Sequence, residues 1–506
     1  MVRRPDLARL LERPGTLVAA GFVLLIAVYQ LRLTPGNPPG LHRDEASIAY
    51  NAWTISQHAR DQNGGFMPVY FVSLGDYKSP LFIYLLAGLF RITGPNQTAA
   101  LELGAIVVFA AIVLLGVLAW RKTHNLAVAV GIVVLGGLTP WLYELGRTIW
   151  ETVSFPLAVV GLLLTLDWAP TSKRGALVRA LAVAFMLGAV FYAYAAGRLL
   201  APLFAVCLLF FAGRGRWRWL TATWALFALA LVPALTYAAR HPAFTSARWN
   251  QTTFIKPGMS FFTIVHDTGW NYIRDVSLWH WVVSGDNKPY IHSGLAGQLF
   301  GSVVVLAALG LFQLVRTHGF NSWWRFALVA ALLSPIPGAL TDDRHHALRQ
   351  ILIPVWLLVF AIPGLDLFVS WVRRFWSARL AAAVLAASTL GQFFWALHWY
   401  DLNGPRRVVF FQADVPALLQ RAFAQSKDGK IYIDYDDHGA HAHAWWYAAW
   451  KHIALSRVVI LPDGGIPPPG SMVFGRLQPC DYVCTKLETV DQDYWIARAV
   501  GPKPAG

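Results

Sequence analysis

Charge is what this sequence most lacks. Asp, Glu, Lys and Arg make up 14% of its 506 residues, where a soluble domain carries about 25%. With 56% of residues of hydrophobic type, a chain solvated mainly by water is excluded. Cysteine is scarce as well, three in all, leaving at most one internal pair. Cys207 lies in an apolar run and reads as a core residue. Cys480 and Cys484 share a late polar segment and are candidates for a disulfide in an oxidising compartment. Acidic residues number 27 against 42 basic ones, a formal charge of +15. The basic excess sits in short loops between apolar runs, so it implies orientation in a membrane and no nucleic-acid partner. No internal repeat of the kind found in many transporters is visible. No small-x-small cleavage pattern follows the first apolar run, so the basic N-terminus (Arg3, Arg4, Arg9, Arg13) reads as a retained signal anchor.

What is present is a series of long apolar runs. A helix needs roughly 20 apolar residues to cross a ~30 Å hydrocarbon core. Eleven runs qualify: 15–33, 99–120, 126–142, 152–168, 177–196, 198–213, 218–237, 297–315, 323–340, 348–371 and 378–398. A further stretch, Leu81 to Phe90, covers only about half the core at ~1.5 Å per residue. Left out of the count, it puts Arg121 and Lys122, Lys173, Arg174 and Arg179, Arg214, Arg216 and Arg218, Arg316 and Arg325, and Arg373, Arg374 and Arg379 on one side with the basic N-terminus. That is the positive-inside pattern of a multi-pass cell-membrane protein. The stretch 81–90 is therefore expected to be a half-inserted or interfacial helix on the outer side.

Two large outer loops result, 34–98 and 238–296, with a tail, 401–506, on the same side. Runs at Lys430–Asp434, Val458–Leu461, Ser471–Phe474 and Tyr494–Arg498 predict strands, and 414–426 predicts a helix. The expected fold class is an all-α polytopic membrane domain, 1–400, with a small extracytoplasmic α/β domain after it.

This orientation gathers the ionisable residues near span ends on the outer face. They are Asp44 and Glu45, Asp76 and Lys78, Glu144, Arg147 and Glu151, Tyr194 and Arg198, and Asp342, Asp343, Arg344, His345, His346 and Arg349. Ionisable groups at membrane depth are costly and mark working sites. From Ala46, apolar positions at Ile48, Ala52, Ile55 and Ala59 predict an amphipathic interfacial helix. Asp44 would cap it and Glu45 would sit in its first turn; alternatively one of them is a carboxylate able to take a proton from an acceptor hydroxyl. Glu144, Arg147 and Glu151, at i, i+3 and i+7, would share a helix face. Lys78, Arg198 and Arg349 either snorkel to the surface or grip a lipid phosphate. His345 and His346 diverge by about 100° if helical, a weak metal signal. His438, His441 and His443, with Asp434, Asp436 and Asp437, either bind a metal or form a solvated loop. No cofactor is certain, and a divalent metal is left open.

At Arg43-Asp44-Glu45-Ala46 and Asp76-Tyr77-Lys78-Ser79-Pro80-Leu81 the chain resembles the polyprenyl-phosphate-sugar-dependent membrane glycosyltransferases of GT-C fold, among them protein O-mannosyltransferases and the lipid A aminoarabinose transferase. Tyr194-Ala-Ala-Gly197-Arg198 and His345-His346-Ala-Leu-Arg349 are similar to family stretches too. The similarity spans about 35–370 and leaves the tail uncovered; here Ser79 interrupts the family's Lys-Pro pair. The resemblance implies an acidic residue of the first loop, Asp44, as catalytic carboxylate, and Lys78 and Arg349 near the donor phosphate, with Arg147 or Arg198 as helpers. It implies inverting transfer of a sugar from a polyprenyl-phosphate donor to a lipid, glycan or protein hydroxyl. The alternatives are a transporter or flippase of lipid-linked saccharides and a membrane glycan polymerase or ligase.

Overall fold

In the computed structural model, residues 14–32, 34, 36–213, 216–433, 439–462, 465–477, 480, 482–491 and 493–501 are described. The basic N-terminal residues, Arg214 and the cluster Asp434, Asp436, Asp437 and His438 lie outside them. The described residues form two compact units. One draws on Met1–Arg32, Gly104–Arg147 and Glu151–Tyr400; the other on Leu33–Leu103, Thr148–Trp150 and Asp401–Gly506. The tail and the first outer loop thus belong to one unit.

Each of the eleven apolar runs is occupied by helix. In chain order the helices are α1 (Pro14–Leu31), α2 (Arg43–His58), α3 (Pro80–Thr93), α4 (Gln97–Thr123), α5 (Leu126–Leu138), α6 (Pro140–Leu145), α7 (Ser154–Asp167), α8 (Lys173–Ala193), α9 (Gly197–Cys207) and α10 (Trp217–Arg240). They continue with α11 (Ala243–Thr252), α12 (Phe261–Asp275), α13 (Gly301–Arg316), α14 (Ser322–Leu333), α15 (Ile336–Ala339), α16 (Leu352–Arg374) and α17 (Trp376–Asn403). Among the described residues, α4, α8, α10, α16 and the helical stretch from Trp376 are long and apolar enough to cross a membrane; α1, α3, α5, α9 (with its 3-10 extension) and α13 are shorter apolar helices. The stretch expected to be half-inserted is α3, begun by Pro80 at its first turn, where a missing N–H is harmless.

In the first unit α13 lies against α16, and α5 packs on both α1 and α16. A Cβ on Gly310 would stand 1.8 Å from the Phe360 carbonyl oxygen, and one on Gly364 1.9 Å from that of Leu306. The α13 and α16 backbones therefore meet at paired glycines, as membrane helices do when small residues permit close approach.

In the second unit the tail forms a five-stranded sheet of order β4-β3-β5-β7-β6, where β3 is Ile431–Ile433, β4 Val458–Ile460, β5 Met472–Arg476, β6 Val483–Val490 and β7 Tyr494–Gly501; the first loop adds the hairpin of β1 (Phe71–Ser73) and β2 (Asp76–Lys78). Strand β3 runs parallel to β4 and β5, while β7 is antiparallel to β5 and β6. Side chains alternate about the sheet. Ile431, Ile433, Phe474 and Ile496 pack with Leu418, Leu419 and Ala444 of the helices α18 (Val415–Gln425) and α19 (Ala440–Trp450). Tyr432, Val473, Trp495 and Ala497 form a second cluster with Cys480 and Tyr482. A disulfide joins Cys480 to Cys484. Helix α19 also packs on α2, with Tyr50 stacked on Trp445 at 5.2 Å and Phe90 on Trp446 at 5.8 Å.

Replacing Gly364 by Val is expected to separate α13 from α16 and destabilise the protein by about 1–3 kcal/mol, the usual cost of overpacking. Thermal unfolding in detergent measures it, and an unchanged midpoint would refute the glycine contact.

Candidate functional site

Helix α2 starts at Arg43, three residues earlier than the apolar spacing predicts, because His42 caps it. The expectation that Asp44 is the cap is corrected: the His42 ring accepts the Asp44 N–H, and Glu45 Oε2 accepts the His42 N–H at 2.8 Å. Glu45 thus serves in a capping box, here built on histidine. Its other oxygen accepts the Ile149 N–H at 2.7 Å. Glu45 has no exposed surface. Burial raises its pKa to about 7, although the two backbone donors oppose the shift.

With Glu45 turned inward, Asp44 is the carboxylate of the pair that retains some exposure. Lys78 Nζ donates to Asp44 Oδ1 at 2.7 Å and lies 3.4 Å from Asp76 Oδ2. The β1–β2 hairpin delivers it, pairing Lys78 with Phe71 and Asp76 with Ser73. His42 Nδ1 stands 3.3 Å from Asp44 Oδ2, and its ring packs near Trp150 at 5.4 Å. Burial works against the charge on Asp44, but Lys78 and His42 outweigh it and hold the carboxyl well below its usual range. The Asp44 carboxylate beside the Lys78 ammonium is therefore present in base form at neutral pH. His441 and His443, expected in a metal site or a solvated loop, lie instead in the helix α19, with His443 buried and pushed down to about 3 by burial and by neighbouring His42 and Arg476.

The first unit holds a different cluster. Asp343 is 3.1 Å from Arg349 and 2.6 Å from Lys288. Arg349 also donates to Thr341 Oγ1 at 2.6 Å. Burial disfavours the Asp343 charge, but the Lys288 hydrogen bond and the Arg349 guanidinium hold its pKa below normal. His346 Nε2 lies 4.0 Å from Asp343, and Asp342 is exposed, 3.8 Å from Lys256. Residues 342–351 are turns, not helix, and His345 adopts φ +53°. His345 stacks on His280 at 3.8 Å, and its N–H donates to Asp275. Asp286 receives the N–H groups of Lys288 and Ala347.

The single helix face expected for Glu144, Arg147 and Glu151 is not formed. Helix α6 ends at Leu145, and Glu151 opens a 3-10 turn. Pro140 starts α6, and the turn at Gly146 breaks the register before Arg147. Glu144 accepts both the N–H and hydroxyl of Ser293 and lies 3.1 Å from His292. Burial lowers the basicity of His292, but the Glu144 charge more than restores it, so its pKa is raised. Arg147, 1% exposed, donates to the carbonyls of Tyr29, Gln30 and Arg32 at the end of α1 and stacks over Tyr143 at 3.2 Å. Such a grip answers the orphan carbonyls of a helix C-terminus. Tyr194 is buried next to Phe155, and Arg198 lies over Phe244 at 4.5 Å.

Asp44, Glu45 and Lys78 thus meet in the second unit, whereas Asp343, His346 and Arg349 meet in the first. Sequence reasoning missed His42, Trp150, Lys288, His292, Asp275 and Asp286. For His42 the signal was its place three residues before Glu45. The others act through long-range contacts that no local pattern announces. Among the described residues no three His, Cys, Asp or Glu side chains converge as a metal site would require.

A helical membrane unit joined to a small C-terminal sheet domain defines a GT-C-like polytopic membrane protein. The chain is similar to ArnT from Cupriavidus metallidurans, both in the apo state and bound to undecaprenyl phosphate. In each case the TM-score is 0.56 at 12% identity, over 96% of this chain and 99% of that one. No protein-family model matches the sequence, and no curated protein sequence does.

The linkage at Asp44 has a definite sign. A depressed pKa contributes stability that is present above the unfolded value, about 3.9, and lost as pH falls through the folded one. Lys78→Gln leaves Asp44 and Asp76 without their cation, at a cost of about 3 kcal/mol near neutral pH. That deficit is expected to shrink as acid protonates both carboxyls. Unfolding midpoints of the two proteins, followed from neutral pH to well below the unfolded value of about 3.9, measure it; a gap that stays constant across that whole range would refute the pairing.

Proposed function

We propose that this protein is a membrane glycosyltransferase that moves a sugar from a polyprenyl-phosphate donor to a hydroxyl acceptor, outside the cytoplasmic side of a cell membrane. The observation that carries this reading is the Asp44–Lys78 pair at the head of α2, on a chain whose fold is similar to that of a protein solved with undecaprenyl phosphate. The acceptor oxygen attacks the anomeric carbon as the bond from that carbon to the phosphate oxygen breaks. Its proton passes to Asp44, and the electron pair leaves with the polyprenyl phosphate. A single displacement inverts the anomeric centre. Positioned base catalysis of this kind contributes typically ~10²–10⁴-fold.

Asp44 suits the role better than Glu45, whose oxygens are both taken by backbone N–H groups. Lys78 places its positive charge beside Asp44, where it would meet charge developing on the leaving phosphate. Arg349 and Lys288 are independent candidates for contact with a lipid phosphate in the membrane unit. Arg147 is a weaker one, since its guanidinium is committed to the carbonyls that end α1.

Purified protein supplied with a radiolabelled polyprenyl-phosphate sugar is expected to consume it. Asp44→Asn should lower turnover by at least ~100-fold while the lipid still binds; full turnover in that variant would remove Asp44 from the role. Lys78→Gln raises the Asp44 pKa, since burial stays and the cation goes. Its remaining activity should therefore develop an acid limb at higher pH than the parent's, seen in the pH profile of kcat/KM.

A further inference from the structure

We infer that the first unit carries a second lipid site, at the basic ends of its helices, which recognises the zwitterionic headgroup of an aminophospholipid such as phosphatidylethanolamine. A cavity of about 420 Å³ lies there among the ends of α4, α13 and α16 and the beginnings of α5 and α14, with Lys122, Asn125, Thr317, Trp324, Asp366 and Arg373 in its wall. Small-molecule sites run from about 300 to 1,000 Å³, so the space suits a headgroup.

The wall offers both signs of charge. Asn125 donates to one oxygen of Asp366 at 3.0 Å, which leaves the other oxygen for a ligand cation. Arg373 has no ion-pair partner among the described residues and supplies a guanidinium for phosphate oxygens. Asp366 and Arg373 are seven residues apart on α16, two turns of one helix face, and a helical side chain leans toward the N-terminus. Both line the same cavity, so a ligand within it meets a carboxylate and a guanidinium about two helical turns apart. Lys122 is shared with Asp167 at 2.6 Å and sits 3.6 Å over the Trp323 ring. It adds positive potential without being free to take over the ligand.

A purely anionic headgroup fits poorly. Asp366 would repel it, whereas an ammonium meets the Asp366 oxygen that Asn125 leaves open. Depth is indicated independently by Trp120, Trp168, Trp217 and Trp376. All four are exposed at helix ends adjoining the basic loops, the position of an aromatic belt at headgroup level. By the positive-inside rule this is the cytoplasmic leaflet.

The test is native mass spectrometry of the delipidated full chain, titrated separately with phosphatidylethanolamine, phosphatidylglycerol and soluble phosphoethanolamine. Phosphatidylethanolamine is expected to bind at least about tenfold more tightly than phosphatidylglycerol, the scale of one charged hydrogen bond. Asp366→Asn should abolish that preference, and Arg373→Gln should weaken both lipids. Soluble phosphoethanolamine should compete only at far higher concentration; competition at the lipid's own concentration would identify a soluble ligand and overturn the lipid assignment. Equal binding of the two lipids, or a preference unchanged in Asp366→Asn, would overturn the headgroup assignment. The exposed Arg373 gives a second variant should Asp366→Asn not fold. The readout is binding, so its outcome is separate from that of the turnover assay.

Discussion

A charge taken out of water has to be answered by an opposite charge or by a ring of hydrogen-bond donors and acceptors, because the desolvation penalty is several kcal/mol per ion. Each buried charged cluster described here obeys that constraint, and the constraint shapes it. Lys78 is held between Asp44 and Asp76. Asp343 is held between Lys288 and Arg349. Glu144 is met by Ser293 and His292, and Arg147 by the carbonyls that end α1. These pairings separate Glu45 and Arg147, held by backbone groups, from Asp44, whose carboxylate keeps some exposure beside Lys78.

The second unit gives that capacity a rigid setting. Helix α2 packs against both α3 and α19, and nearly all of its middle turns are buried. Glu45 fastens its first turn to Ile149. The sheet domain therefore braces the helix that presents Asp44, and a carboxylate held by surrounding packing loses less in reorganisation than one on a free loop. Gly439, at the start of α19 with φ +100°, shows how closely this brace approaches: a Cβ there would lie 3.4 Å from Arg43 and 2.7 Å from Leu74.

Much of the scaffold was legible in the residues. Apolar runs become helices because a membrane leaves no other way to satisfy their backbones, and α1, α4, α8 and α10 end within a few residues of the expected limits. In the tail, α18, β3, β4, β5 and β7 stand where apolar alternation and helical spacing put them. Strand β6 escaped notice because Val483–Val490 is mostly exposed and mixes charged residues into its edge position. Helix α19 escaped because Ala440–Trp450 is buried on nearly every side, so no periodic polar face marks it. The break between Glu144 and Arg147 escaped because helical spacing alone cannot register a turn at Gly146.

Composition and order by themselves determined a helical membrane chain with a small mixed domain after it, and put Asp44 and Lys78 forward as candidates. Hydropathy and charge are local quantities, summed along a strand of residues, and they survive without knowledge of neighbours. Which carboxylate faces inward, which arginine ends a helix, and which lysine from the second loop meets Asp343 were decided only by tertiary structure. Those outcomes depend on distances between residues up to 118 positions apart, as for Arg147 and Tyr29, and folding alone brings such partners together.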